Sequence, residues 1–88
     1  MLDLSKVKWE MSPNEKFAVK WFNDHGFDGE VKQYLSKTKF ILTKDGETDT
    51  FELPTTADVE IKSYMQQYEK SWKLHCEINQ LRRQLANK

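Results

Sequence analysis

The apolar residues of this chain change their spacing twice, and the changes divide it into elements. Phe17, Ala18, Trp21 and Phe22 recur at the three- and four-residue spacing of a helical stripe. Ser12-Pro13-Asn14-Glu15 precedes them as a capping box: the Ser12 hydroxyl can accept from the free amide of Glu15, and Pro13 occupies the first helical position, where its missing donor costs nothing. Gly26 follows Asn23-Asp24-His25 as the left-handed residue that ends a helix, with Phe27 placed to fold back on the last turn. The pattern predicts a helix over 13–25. Beyond it the period falls to two. Val31, Gln33 and Leu35 alternate with Lys32, Tyr34 and Ser36, Ser36-Lys37 reads as a tight turn, and a second strand covers 39–43. Asp45-Gly46 is the strongest hairpin signal, because a two-residue turn of this kind needs positive φ at both positions. Counting outward pairs Lys44 with Glu47, Leu42 with Asp49 and Phe40 with Phe51, and Pro54 ends the third strand.

Thr55-Thr56-Ala57-Asp58 opens a second helix in the same way as Ser12, and no Gly or Pro interrupts the chain from there to its end. About 30 residues of helix would span roughly 45 Å, more than a small sheet can cover. The expected fold is α+β, in the order αβββα: a three-stranded antiparallel sheet packed by an N-terminal helix and by a long C-terminal helix that projects. All 88 residues form one domain, with an arm at 1–11, helix and sheet at 12–54, and the long helix at 55–88. Trp9 and Met11 suggest that the second half of the arm is docked.

The long helix carries two stripes. At 100° per residue, Ile61, Met65, Tyr68 and Trp72 share one face, and Leu74, Ile78, Leu81 and Leu85 share another, rotated from the first by roughly 140°. One straight helix cannot lay both on one sheet. The first stripe is therefore expected on the body. The second, spaced 4, 3, 4 like the core positions of a heptad, is expected to meet a second copy or another protein helix. The competing reading bends the helix near Trp72–Leu74 and folds the second stripe back.

Composition narrows the functional classes. Fourteen basic residues balance fourteen acidic ones, against a bulk nucleic-acid or membrane-surface binder. The balance hides a segregation. Glu47, Asp49, Glu52, Asp58 and Glu60 occupy a stretch with no Lys or Arg, whereas the last 28 residues carry six basic side chains against two acidic ones. Nucleic acid is the alternative partner, through Arg82 and Arg83 with Lys70 and Lys73, but charges of this kind more often form a solvated face, so it is not favoured. Cys76 is the only cysteine, so no intrachain disulfide can form. With no secretory leader in the first residues and no apolar run near the ~18 residues of a membrane span, the expectation is a cytoplasmic protein without membrane contact.

Catalytic signals are sparse. Asp58, Glu60 and Lys62 resemble the carboxylate–Glu-x-Lys core of restriction-endonuclease-like nucleases, in which acids hold Mg²⁺ beside a lysine. That family places the motif on a strand, and here it feeds a helical pattern. His75 and Cys76 are adjacent and so point about 100° apart on a helix, unable to act as base and nucleophile. His25 falls in the last turn of its helix, at the negative end of the dipole. No metal-ligand spacing and no glycine-rich phosphate loop occur. No catalytic residue, metal or cofactor is expected.

The run Lys8-Trp9-Glu10-Met11-Ser12-Pro13-Asn14-Glu15-Lys16, followed by Phe17 to Phe22 and Gly26-Phe27, resembles small proteins of unknown role encoded in prophages and mobile elements of Gram-positive bacteria. The resemblance implies a cytoplasmic bacterial protein and transfers no functional residues. The leading expectation is a non-enzymatic interaction module that self-associates, most simply as a dimer, through Leu74, Ile78, Leu81 and Leu85. A nucleic-acid-associated regulator comes second and a nuclease fragment third.

Overall fold

A computed structural model describes residues 1–54 and 60–86. Its order is β1 (Leu2–Asp3), α1 (Pro13–Asp24), β2 (Asp28–Gln33), β3 (Lys37–Lys44), β4 (Glu47–Pro54) and α2 (Ile61–Ala86). The strands lie side by side in the order β1-β2-β3-β4. The α+β class is as the hydrophobic pattern implies, but the sheet has four strands and is mixed. The chain's first residues add a short strand parallel to β2, with Leu2 opposite Gly29. Two residues carry no periodicity, so nothing in the pattern could announce that strand.

Both ends of α1 follow their capping chemistry. The Glu15 amide donates to the Ser12 hydroxyl at 3.3 Å, and that hydroxyl lies 3.3 Å from the Glu15 carboxylate. At the other end the amides of Phe27 and Gly26 donate to the carbonyls of Phe22 and Asn23, with Gly26 at φ +81°. This paired closure is sealed by an apolar contact between Phe22 and Phe27, whose rings lie 5.4 Å apart.

The Asp45-Gly46 turn has φ +53° and +79°, the signs a two-residue hairpin turn of this type requires. The register it sets runs the length of the hairpin: Lys44 faces Glu47, Leu42 faces Asp49 and Phe40 faces Phe51. The β2–β3 connection differs from expectation. Gln33 faces Thr38 and the Tyr34 amide donates to the Lys37 carbonyl, so Leu35 and Ser36 form the turn in place of Ser36-Lys37. Leu35 accordingly leaves the core and is 92% exposed. Gly29 sits within this pairing at φ +140°, and a Cβ there would lie 1.8 Å from the Ile41 carbonyl oxygen.

One face of the sheet is covered by α1 and α2. Val31, Phe40, Leu42 and Leu53 from the strands meet Ala18 and Phe22 from α1 and Met65 from α2, all fully buried. Phe22 is at the centre, with the rings of Phe40, Phe51 and Tyr68 each about 5.5 Å from its own. The arm is docked through its backbone. The Gln33 amide accepts from the amides of Lys8 and Trp9 and donates to the Trp9 carbonyl. Met11 packs on the core, while the Trp9 side chain stays half exposed.

The helix start proposed at Thr55-Thr56 lies outside the described residues. Within them, α2 begins at Ile61, and Glu60 caps it: its carboxylate accepts from the Ser63 amide at 3.2 Å and its carbonyl from the Tyr64 amide. The Ser63 hydroxyl also bonds that carboxylate, and these donors hold the Glu60 carboxyl below its ordinary pKa. From Ile61 to Ala86 the helix is continuous through Trp72–Leu74. No helix among the described residues is long and apolar enough to cross a membrane.

Candidate interaction surface on the last helix

The two stripes of α2 have opposite fates. Met65, Tyr68 and Trp72 are buried against the body and Ile61 is half-buried. The second stripe is open: Leu74 is 57% exposed, Ile78 40%, Leu81 58% and Leu85 69%. Hydrophobic burial on the first stripe ends at Trp72, with Cys76 packed partly against the core.

Beyond that point the helix does not simply project. The face that carries Tyr68 and Trp72 continues through His75, Asn79 and Arg83, a spacing of three, four and four residues, and there it meets the hairpin through polar groups. The Tyr68 hydroxyl donates to Asp49 at 3.1 Å. His75 Nε2 lies 3.0 Å from the Thr48 carbonyl oxygen. The Asn79 amide donates to Glu47 at 2.8 Å, and the Arg83 guanidinium pairs with the same carboxylate. Glu47 is itself buried. The Asn79 hydrogen bond, and after it Arg83, hold its carboxyl below the usual range. This polar ladder fixes the rotation of the helix, and with it the outward direction of the open stripe.

The ladder also engages charges considered above for a partner. Arg83, one of the four basic residues considered for nucleic acid, is already paired with Glu47 in its own chain. Glu47 and Glu52, from the acidic stretch noted above, are paired within the chain with Arg83 and Lys37. Lys70, Lys73 and Arg82 remain exposed on α2.

Elsewhere a groove of about 360 Å³ opens between the arm and the end of β2, lined by Ser5, Lys6, Lys8, Lys32, Gln33 and Tyr34. Neither α2 nor the hairpin reaches it. Its positive charge is offset by Glu30, which lies 2.9 Å from Lys6 and 3.8 Å from Lys32, and its one amide is engaged by the arm's backbone. No pattern in the sequence signals that the arm brings Lys6 and Lys8 beside Lys32.

The residues weighed for catalysis are not assembled. Asp58 lies outside the described residues. Glu60 caps α2 and Lys62 is in its first turn, exposed, so the two carried by described residues are not on a strand. His25 ends α1, its Nδ1 2.7 Å from the Trp21 carbonyl oxygen and its ring stacked on Trp21 at 3.7 Å. Burial pushes the Cys76 thiol above its ordinary pKa, the wrong direction for a nucleophile. Among the described residues no three His, Cys, Asp or Glu side chains are grouped to hold a metal ion. No family model, curated protein or solved structure matches the chain.

Proposed function

We propose that this chain is a non-enzymatic interaction module that associates with a second copy of itself through Leu74, Ile78, Leu81 and Leu85. One observation carries the reading: a helix anchored to its own domain along one face presents four adjacent aliphatic side chains, 40–69% exposed, on the other. Burying each fully is worth about 1.5–3 kcal/mol, and a contiguous apolar patch on an ordered element commonly marks an interface. The seam is four side chains long, below the roughly 800 Å² per partner of a standard interface. Association is therefore reversible and concentration-dependent. The half-buried lone thiol suits a reducing compartment, as in a cytoplasmic protein.

Ile78→Glu/Leu81→Glu tests this reading. Both side chains lie outside the core, so circular dichroism and thermal melting should stay close to wild type, while light scattering should report a monomer where the wild type is dimeric. A double variant that unfolds would show the stripe to be core, and the proposal would fall.

A further inference from the structure

We infer that the two copies pack their stripes parallel and in register, so that Glu77 of each chain meets the partner subunit's Arg82. The inference rests on the self-association proposed above and adds its geometry. The 4, 3, 4 spacing assigns heptad positions: Ile78 and Leu85 at a, Leu74 and Leu81 at d. Glu77 and Gln84 then occupy g and His75 and Arg82 occupy e, the positions that flank a two-helix seam and choose its orientation. Arg83 and Asn79 fall at f and b, away from the seam, where the structure has them bonded to Glu47. The hairpin bonded by Asn79 and Arg83 is thus turned away from the stripe, and reaches the flank of the seam only at His75, which bonds the Thr48 carbonyl.

Charge selects between the two orientations. In a parallel pair each g residue faces the e residue five positions further along the partner. Glu77 then faces the partner subunit's Arg82, and the two-fold axis makes the contact twice. In an antiparallel pair, with Ile78 set against the partner subunit's Leu81, Glu77 faces the partner subunit's Gln84 and Arg82 faces the partner subunit's His75. That arrangement leaves both charges without an opposite. Among the described residues Glu77 and Arg82 have no ion pair within their own chain, unlike their neighbour Arg83, so they are available to a second copy. Of the two a positions, Ile78 carries the β-branched residue that, with leucines at d, suits parallel two-stranded packing, and Leu85 does not.

Cysteine cross-linking and a charge swap test the geometry on the full chain, with Cys76→Ser as the background. Ile78→Cys should form a disulfide-linked dimer on mild oxidation, because residues at a meet their own counterparts in a parallel pair. Glu77→Arg should weaken dimerisation about tenfold, and Glu77→Arg/Arg82→Glu should restore it. If Ile78→Cys alone fails to cross-link while a mixture of Ile78→Cys and Leu81→Cys chains does so, the copies are antiparallel: the inference is overturned and self-association stands. If no cross-link forms and the background protein sediments as a monomer at every concentration, self-association itself falls.

Discussion

At the scale of single residues, two positions hold energies that a sequence pattern does not display. Gly29 is one of three glycines and looks like the others in the sequence, yet a methyl group there would meet the Ile41 carbonyl at 1.8 Å. That oxygen belongs to the backbone of the central hairpin and cannot swing aside, and φ +140° is strained for any L residue. Gly29→Ala should cost about 3 kcal/mol or more in urea denaturation, and an unchanged midpoint would contradict the β2–β3 pairing described above. Thr38 is the opposite case. Its side chain is fully buried, and Oγ1 has no hydrogen-bond partner among the described residues. A hydroxyl in that position has lost its water without replacement. Thr38→Val keeps the shape and removes the unsatisfied group, so it should raise stability by about 1 kcal/mol. A loss of similar size would mean that the hydroxyl has a partner after all.

At the scale of elements, legibility followed local chemistry. The first helix and the β3–β4 hairpin could be read from the sequence because their ends are written in short-range rules: a capping box, a left-handed glycine and an Asp-Gly turn whose register propagates by simple counting. The β2–β3 turn was misplaced by one residue because Leu35 continues an apolar alternation that stops, physically, at Gln33, where the strand turns to meet Thr38. The strand at Leu2–Asp3 and the grip of Gln33 on the arm depend on partners more than 20 residues away, and no periodicity encodes them. Of the candidate site, the two stripes of α2 and their angular separation were visible. The ladder from Tyr68 to Arg83 was not, because its residues are polar and its partners sit across a hairpin. That ladder gives α2 a pH dependence. Because Asn79 and Arg83 lower the Glu47 carboxyl below its unfolded value, their stabilisation is complete above the ordinary glutamate range and is lost as pH falls through the depressed native value. Amide protection over 79–86, relative to intrinsic exchange at each pH, should therefore fall in acid more than protection in the sheet does. Glu47→Gln, which cannot ionise, should show faster exchange at neutral pH and little further acid effect. Equal protection of this segment in wild type and variant would show that packing, not the carboxylate, holds the helix end.

At the scale of the whole molecule, the protein measures 49 × 26 × 23 Å, and its long axis accommodates a helix of 26 residues, about 39 Å. Part of the charge is paired within the chain: Arg83 with Glu47, Lys37 with Glu52, Lys6 with Glu30 and Lys20 with Asp24. Of the nine large hydrophobic side chains exposed among the described residues, four, Leu74, Ile78, Leu81 and Leu85, lie together on the outer face of α2. A chain whose fourteen basic residues are balanced by fourteen acidic ones should not retain nucleic acid at physiological salt. Gel-shift titrations with duplex and single-stranded DNA should show no complex at micromolar protein, and a salt-sensitive complex weakened by Arg82→Ala would favour the nucleic-acid reading. The central claim is that the stripe of Leu74, Ile78, Leu81 and Leu85 is a surface for a second copy. Sedimentation equilibrium of the unmodified protein, from low to hundreds of micromolar, tests it most directly. A reversible monomer–dimer equilibrium, with dimer evident at tens of micromolar, is the predicted result; a single monomeric mass across the whole range would contradict it.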